Sequence, residues 1–317
     1  MSARTVLVCG ATGFIGRNVV ERFANRPDLR VRAVCHHRRP FHINGVDWVS
    51  ADLTKVDDVE RVVCGVDVIV QMAAVTSGAR DIVERPYIHV TDNAVMNSLL
   101  LRAAHNQGVE HLVFPSCSIM YAPREGPHDE ESFHEGEGIE ARYEPAARTK
   151  LYIEQMCRFF AGLGRTRFSV IRHSNVYGPH DKFDLERSHV TGATITKVMT
   201  AQDHVVVWGD GTEGRDLLFV EDMVRLIERL IDHQDVAFEL LCAGTGKAVP
   251  VKTLVDRTIA LSGKPLSVRF DRSKPGINTT VSLSSARAER LYDWRPAVGL
   301  DDGLTQTLLW WKTNHQG

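Results

Sequence analysis

The stretch VLVCGATGFIGRNVV, residues 6–20, decides the fold of this chain. Its apolar start predicts a strand that ends at Cys9, and the pattern after the turn predicts an amphipathic helix. Glycines at every third position suit a dinucleotide pyrophosphate. The first allows a tight turn, the second lets the backbone approach the phosphates, and the third lets the helix pack closely on the strand. The spacing is GxxGxxG, which differs from GxGxxG. The residues expected to contact the cofactor here are Gly10, Thr12, Gly13, Phe14, Ile15 and Gly16.

Strand-like and helix-like segments alternate over the first half of the chain. Strands are predicted at residues 5–9, 31–35, 46–49, 66–70, 111–114 and 168–171. Helices are predicted near residues 14–25, 56–63, 91–107 and 146–162. This alternation predicts βαβ units and right-handed crossovers, and hence a doubly wound parallel sheet of the Rossmann type, in the α/β class.

The pattern changes after about residue 175. Segments 122–143 and 175–216 are rich in Gly, Pro and charged residues, so we expect long loops there. Regular elements return as helices near 221–232, 251–262, 284–291 and 301–313, with a strand at 237–242. We expect a dinucleotide-binding domain over residues 1–175, to which elements near 217–245 return. Residues 176–317 are then a smaller, substrate-binding part.

The composition excludes several classes of protein. The 317 residues carry a net charge of -2, which gives no electrostatic reason to expect nucleic acid as a partner. No apolar stretch approaches the length of a membrane span, and no secretory signal is visible. The 6 cysteines form no CxxC pair and the 14 histidines show no ligand spacing, so we expect a cytoplasmic protein without a metal site.

The end of the second predicted strand bears on the choice of cofactor. An acidic residue there would bind the ribose 2′-hydroxyl of NAD, whereas a basic residue would accept the 2′-phosphate of NADP. The chain has His36, Arg38 and Arg39 there and no acid. Because arginine forms bidentate hydrogen bonds with phosphate, the sequence favours NADP, with NAD as the alternative.

The next two strands end in further candidate cofactor contacts. Asp52, with Leu53, is placed to bind adenine, and Ala73 and Ala74 leave room for the cofactor after the fourth strand.

Three segments resemble the extended short-chain dehydrogenase/reductase family over nearly the whole chain. They are GATGFIG (10–16), RHSNVYGP (172–179), and WGDG (208–211) followed by Arg215-Asp216. The last two are similar to the family's RPxNVYGP and GDGxxxRD. Within the family, NVYGPHDKF (175–183) and SHV (188–190) most resemble the GDP-fucose synthases, which epimerise and then reduce a GDP-4-keto-6-deoxy-hexose with NADPH.

This resemblance implies an enzyme of nucleotide-sugar metabolism that is a homodimer. It implies that Arg215 grips the diphosphate, that Asn175 lies at the sugar or its phosphate, and that Lys197 and Trp208 belong to the substrate side. His189 matches the acid of the epimerase step, although a loop or helix-cap histidine is the alternative. A nucleotide-sugar 4-epimerase or dehydratase with tightly bound NAD also remains open. The dimer would form through helices 91–107 and 146–162, whose apolar faces could instead be core.

The chain departs from the catalytic residues that the resemblance implies. These are a Tyr, a Lys four residues later, and a Ser or Thr. Lys150 matches, but Ala146 stands at the Tyr position and cannot transfer a proton. Cys117 stands where the family has Ser or Thr, and Ile119 where the GDP-fucose synthases have their epimerase Cys. A local gap would instead make Cys117 that Cys, or leave Ser116 or Ser118 as the hydroxyl.

Three explanations of Ala146 remain open at this point. It is an engineered substitution, or the natural enzyme uses another acid, or the protein binds cofactor and sugar nucleotide with little catalysis. Candidate replacement acids are Tyr143, Cys117, Ser118 and a water held by Lys150.

Overall fold

Seven parallel strands form the central sheet of the computed structural model, which describes residues 3–75, 85–135, 138–185, 188–274 and 280–315. The described residues form these strands, in the central sheet and in two smaller sheets: β1 (Arg4–Cys9), β2 (Leu29–Cys35), β3 (Val46–Ser50), β4 (Val68–Gln71), β5 (His111–Pro115), β6 (Arg167–His173), β7 (Asn175–Tyr177), β8 (His204–Trp208), β9 (Gly214–Phe219), β10 (Phe238–Ala243), β11 (Ala248–Pro250) and β12 (Ser267–Asp271). The order in the central sheet is β10-β6-β5-β4-β1-β2-β3. The order reverses between β1 and β4, and ligands of such sheets bind there, at the carboxyl ends of the strands. The prediction of a doubly wound α/β fold is confirmed.

Helices cover both faces of this sheet. The helices of the described residues are α1 (Phe14–Phe23), α2 (Val56–Val63), α3 (Thr91–Gln107), α4 (Glu144–Ala161), α5 (Val190–Thr200), α6 (Val220–His233), α7 (Val251–Ser262), α8 (Ala286–Tyr292) and α9 (Leu300–His315). Of these, α5, α7 and α9 pack in the smaller part and not on the central sheet. Alternate residues of β1 point to opposite faces. Val6 and Val8 therefore pack with α1 and α6, whereas Leu7 and Cys9 pack with α2, α3 and α4. Among the described residues, no helix is long and apolar enough to cross a membrane.

The predicted elements of the central sheet lie where the sequence indicated. Helices α2, α3 and α7 begin and end at the predicted residues, and the other predicted elements differ by one or two residues at an end. The reason is burial. Strands covered on both faces are continuous apolar runs, and the helices that cover them have one apolar side, so both patterns are strong.

The prediction of a long loop over residues 175–216 is wrong. This segment contains β7, α5, β8 and the start of β9. β7 and β9 form a small sheet with β11, and β8 pairs with β12. Helix α5 contains Gly192, and a Cβ at Gly192 would lie 2.2 Å from the carbonyl oxygen of Lys182. Tertiary packing therefore selects a glycine that weakens the helical signal of the sequence. The described part of 122–143 is irregular, as expected, apart from the 3-10 turn Glu130–Ser132 and an isolated bridge at His128.

Candidate active site

The glycine turn after β1 is shaped for a phosphate group. Gly10 has a φ of 65°, and a Cβ there would lie 2.6 Å from the backbone nitrogen of Ala73. A Cβ at Gly16 would lie 2.2 Å from the carbonyl oxygen of Gly10, so α1 packs directly on the turn. Gly13 is the N-cap of α1 and offers no side chain to the first N–H groups of the helix. Those donors and the helix dipole suit a pyrophosphate, so the residues present fit a dinucleotide.

Basic side chains lie at the end of β2, beside this turn. Residues 36–40 are exposed, and Arg38 Nη1 lies 3.4 Å from the carbonyl oxygen of Thr12. Asp52 follows β3, and its Oδ1 accepts hydrogen bonds from the backbone and hydroxyl of Thr54 at 3.0 and 2.7 Å. These bonds and the charge of His36 hold the pKa of Asp52 below its usual range. The surroundings of the turn thus combine one carboxylate with an exposed guanidinium.

A ladder of buried amides fixes the backbone that faces the glycine turn. Gln71, the last residue of β4, donates to Asn97 at 3.1 Å and accepts from the Ala73 N–H at 3.1 Å. Asn93 bonds to both the N–H and the carbonyl of Val75 at 3.0 Å. The sequence analysis missed these residues. The signal was available, because Asn93 and Asn97 are four residues apart on one side of an otherwise apolar helix.

Lys150 and Cys117 come together at the carboxyl end of β5. The Lys150 Nζ donates to the carbonyl of Pro115 at 2.9 Å and lies 4.6 Å from the ring centre of Phe114. Desolvation lowers the pKa of Lys150, and burial raises the pKa of the Cys117 thiol while the Lys150 charge opposes that rise. Ala146, one turn earlier on α4, is half-buried, so the helix presents a methyl group where the resemblance implies a phenol.

Tyr143 lies near Arg215, at the start of the helix that carries Lys150. It is the N-cap of α4, and burial raises its pKa while the charge of Arg215 on β9 lowers it. Arg215 donates to its neighbour's carbonyl, Gly214 O, at 2.8 Å, and its Nη2 lies 3.9 Å from Glu213 Oε1. Ser118 is half-buried in the turn that follows Cys117.

Two histidines lie near each other at the end of β6 and the start of α5, and the charge of Lys150 acts on the first of them. His173 ends β6, and its Nδ1 lies 2.7 Å from the carbonyl oxygen of Ser174. Burial lowers the pKa of His173 to about 4, and the charges of Lys150 and His189 act in the same direction. His189 is the N-cap of α5 but makes no capping bond, and desolvation lowers its pKa although solvent reaches the side chain. The sequence analysis missed His173, and its signal was the His that replaces Pro in the segment RPxNVYGP.

A buried ion pair supports this end of the sheet from below. Arg172 on β6 bonds to Glu154 on α4 at 2.7 Å, and both side chains are at most 6% exposed. Ser116 donates to the same carboxylate at 2.5 Å, and Tyr121 accepts from Arg172 at 2.9 Å. These bonds tie α4, β6 and the turn after β5 together, which fixes Lys150 relative to Cys117 and His173.

The predicted substrate residues line the smaller part of the molecule. Asn175 donates to the carbonyl of Asp216 at 3.2 Å, which joins β7 to β9 beside Arg215. Lys197 on α5 donates to Val206 O at 3.0 Å and lies 5.7 Å from the ring centre of Trp208. Trp208 is 57% exposed and offers a flat aromatic surface. The described residues hold no cluster of three or more His, Cys, Asp or Glu that could bind a metal ion.

Comparisons with known proteins agree with this geometry. Residues 6–240 match the NAD dependent epimerase/dehydratase family. A dTDP-4-dehydro-6-deoxy-D-allose reductase from a Streptomyces species is 29% identical, with 98% of this chain and 97% of the relative covered. A GDP-L-fucose synthase from Azorhizobium caulinodans is 26% identical, with 99% and 98% covered. The crystal structure of UDP-glucose 4-epimerase from Thermotoga maritima, with UDP-glucose, superposes with a TM-score of 0.87 at 21% identity, covering 98% of this chain and 100% of that one. This last likeness shows the fold.

Proposed function

The chain belongs to the NAD dependent epimerase/dehydratase family, and from this premise we propose that it reduces a nucleotide-linked 4-keto-6-deoxy-hexose at C4 with NADPH. The observations that carry the proposal are the glycine turn that opens α1 and the buried contact of Lys150 with the carboxyl end of β5, with Arg215 on β9 as the proposed diphosphate contact. The relatives matched over nearly their whole length include a dTDP-4-dehydro-6-deoxy-D-allose reductase, whose name gives the reaction proposed here, and a GDP-L-fucose synthase, the group that the motifs resemble. Epimerisation before reduction is the extended form of the proposal, with His189 as its acid.

The cofactor side of the cleft is built from the first half of the chain. The turn at Gly10, Gly13 and Gly16 would hold the pyrophosphate on the N-terminus of α1. Arg38, beside Thr12, would take the 2′-phosphate in its guanidinium fork, which supports NADP rather than NAD. Lys150 would hold the nicotinamide ribose. When bound, the nicotinamide supplies the hydride for the reduction.

The other proposed cofactor contacts frame the adenosine and the nicotinamide. They are Thr12, Phe14, Ile15, His36, Arg39, Asp52, Leu53, Ala73 and Ala74.

The substrate side is built mainly from the second half of the chain. Arg215 would grip the diphosphate through its paired N–H donors, and Asn175 would lie at the sugar. Trp208 and Lys197 would contact the nucleoside, the first by stacking and the second by charge. We accordingly propose residues 1–175, with β10 returning to the sheet, as the dinucleotide-binding domain and residues 176–317 as the sugar-nucleotide part.

The base of the sugar nucleotide is the finer part of the proposal. The segments 175–183 and 188–190 favour GDP, whereas the Streptomyces relative is named for a dTDP sugar. The first experiment therefore compares a GDP sugar with a dTDP sugar.

The test mixes the purified protein with NADPH and either a GDP- or a dTDP-4-keto-6-deoxy-hexose, and follows NADPH absorbance and the sugar product. We expect stoichiometric NADPH consumption and a 4-hydroxy product, faster with the GDP sugar. An Ala146→Tyr variant runs in parallel. If NAD copurifies with the chain and a UDP-sugar is epimerised without NADPH consumption, the reductase proposal is wrong and the 4-epimerase alternative holds. If both chains bind cofactor and sugar nucleotide but neither turns over, the protein is a binding protein.

The assembly we propose is a homodimer through α3 and α4. The outer sides of these helices expose large apolar side chains that the core does not use, and they are Val95, Tyr152 and Phe159. Paired with a second copy, they would form a four-helix interface of ordinary apolar character.

A further inference from the structure

We propose that His173 is the proton donor and acceptor of this site, in place of the hydroxyl that Ala146 lacks. The inference rests on the reductase function proposed above. Two departures from the resembled segments both lie near Lys150. Ala146 removes a proton-transfer group from α4, and His173 adds one at the end of β6, where RPxNVYGP has a proline. A loss and a gain of the same chemistry in one place point to a replacement.

The sheet register brings His173 to the edge of the sheet at which Lys150 lies. β5 and β6 run in parallel with Pro115 paired to Ile171, and the N–H of Ser116 donates to Ile171 O at 2.7 Å. The Lys150 ammonium bonds to the carbonyl of Pro115. His173 lies two residues beyond Ile171, at the same carboxyl edge. The charge of Lys150 acts on its ring, as does that of His189 from the start of α5.

The hydrogen bond at Nδ1 fixes which nitrogen is reactive. A carbonyl oxygen only accepts, so the 2.7 Å contact with Ser174 O places the proton of the neutral ring on Nδ1. Nε2 then carries the lone pair, and it has no hydrogen-bond partner among the described residues. The half-buried ring is therefore oriented by its own backbone, with its basic nitrogen available to a substrate oxygen.

The other candidate acids fit less well. Tyr143 lies among the charges of Arg215, Arg142 and Glu213, on the side proposed for the diphosphate. Burial raises the pKa of the Cys117 thiol, so its proton is held more tightly than in water. His189 is exposed at the start of α5. Of these groups, His173 alone combines a fixed tautomer with a place beside Lys150.

The proton step balances in both directions. In reduction, the imidazolium gives its Nε2 proton to the carbonyl oxygen while the carbonyl carbon gains a hydride with its electron pair from NADPH. The C=O double bond becomes a C–O single bond, with a new C–H bond and a new O–H bond. The imidazole then regains a proton from water. In oxidation, Nε2 takes the hydroxyl proton as the C–H pair leaves to NADP⁺. Lys150 disfavours the imidazolium and thereby makes it a stronger acid.

A variant series tests the proposal through kcat and its pH dependence. His173→Gln keeps a polar side chain but cannot exchange a proton at neutral pH, and we expect kcat to fall by about 10²–10⁴-fold. NADPH binding, measured by fluorescence titration, should be unchanged. Ala146→Tyr should restore turnover in the His173→Gln background. His233→Gln, an exposed histidine at the end of α6, is the matched control and should keep full activity.

The pH profile of reduction should have a defined sign. Because the pKa of His173 is lowered to about 4, the protonated fraction falls about tenfold per pH unit above neutrality, and reductive kcat should fall with it. Oxidation should be flat, since the neutral ring is already the base. The slope should vanish in His173→Gln/Ala146→Tyr. The charged and titratable groups that act on the His173 ring are Lys150 and His189. Lys182 in turn acts on His189, and Cys117 and Glu154 act on Lys150.

An NMR measurement separates this proposal from the proposed function. The imidazole signals of His173, assigned by their loss in His173→Gln, should differ between the NADPH and NADP⁺ complexes. The reason is that the nicotinamide ring is positively charged in NADP⁺ and neutral in NADPH. Full kcat in His173→Gln overturns the proposal, and so does an unchanged imidazole signal. If no keto sugar is reduced even by Ala146→Tyr, the reductase function fails, and the NMR comparison alone decides whether His173 faces the nicotinamide.

Discussion

Arg38 is the side chain on which the choice between the two nicotinamide cofactors depends. Its guanidinium stands over the glycine turn, 3.4 Å from Thr12 O. An Arg38→Ser variant should bind NADPH about 10–100-fold more weakly, because a charge-assisted hydrogen bond contributes about 1.5–3 kcal/mol. Binding of NADH should be unchanged. Fluorescence titration of both cofactors measures this, with Arg30→Ser on β2 as an exposed control. Equal loss for NADH would place Arg38 outside the 2′-phosphate site.

Arg172 and Glu154 carry the stability of the catalytic end of the sheet. Both side chains are buried, so Arg172→Met leaves a carboxylate with no cation beside it. We expect the free energy of unfolding to fall by about 3–5 kcal/mol, since removing one partner strands a buried charge. The exposed pair Arg257–Asp301 is the control, and Arg257→Met should cost at most about 1 kcal/mol. Urea denaturation compares the two. Similar losses for both variants would contradict the argument.

At the residue scale, the sequence predicted where single functional residues lie in the fold better than it predicted which residues they contact. The turn at Gly10 and the lysine at 150 follow from local spacing, and the fold brings them to one edge of the sheet. The charge contact between His173 and Lys150 depends on the register of β5 and β6, which no local pattern states. The same holds for Gln71 and Asn97, which meet across β4 and α3.

At the scale of elements, the contact between β1 and α1 is set by one glycine. A Cβ at Gly16 would lie 2.2 Å from a backbone oxygen that has no freedom to move aside. Gly16→Ala should therefore lower the free energy of unfolding by about 1–3 kcal/mol, through displacement of α1 from the turn. Dinucleotide affinity should fall as well, because the helix N-terminus shifts with it.

Urea denaturation without cofactor and dinucleotide titration measure the two effects of Gly16→Ala. Gly138→Ala is the matched control, since a Cβ there meets nothing within 4 Å. Because Gly→Ala restricts the unfolded chain and by itself stabilises the fold, equal losses in the two variants would contradict the argument from the helix contact.

Element prediction succeeded for helices with apolar side chains at regular spacing and failed for α5. Helices α2 and α3 beside the central sheet and α7 in the smaller part were all predicted to the residue. Helix α5 lies in the smaller part, is rich in Thr and contains a glycine that Lys182 O requires. Its helical state depends on tertiary contacts rather than on local sequence, so the sequence alone predicts a loop.

At the scale of the whole molecule, α3 and α4 together carry several exposed large apolar side chains. Phe159 on α4 is 58% exposed, and Tyr152 lies two turns earlier on the same side of the helix. Tyr152 bonds across to Ser98 of α3 at 3.3 Å, so the two helices present one joint surface. Large exposed aromatic side chains grouped on paired helices are typical of interfaces between protein copies.

The dimer is testable by a charge placed in that surface. Phe159→Glu should give a monomer, because pairing two copies would bury two carboxylates opposite each other without a partner. Sedimentation velocity measures the change, and urea denaturation should show that the monomer remains folded. Leu309→Glu on α9 is the matched control, since Leu309 is also 58% exposed but lies away from α3 and α4. If Leu309→Glu dissociates the protein and Phe159→Glu does not, the interface lies on α9, and if the parent chain sediments as a monomer the homodimer proposal is wrong.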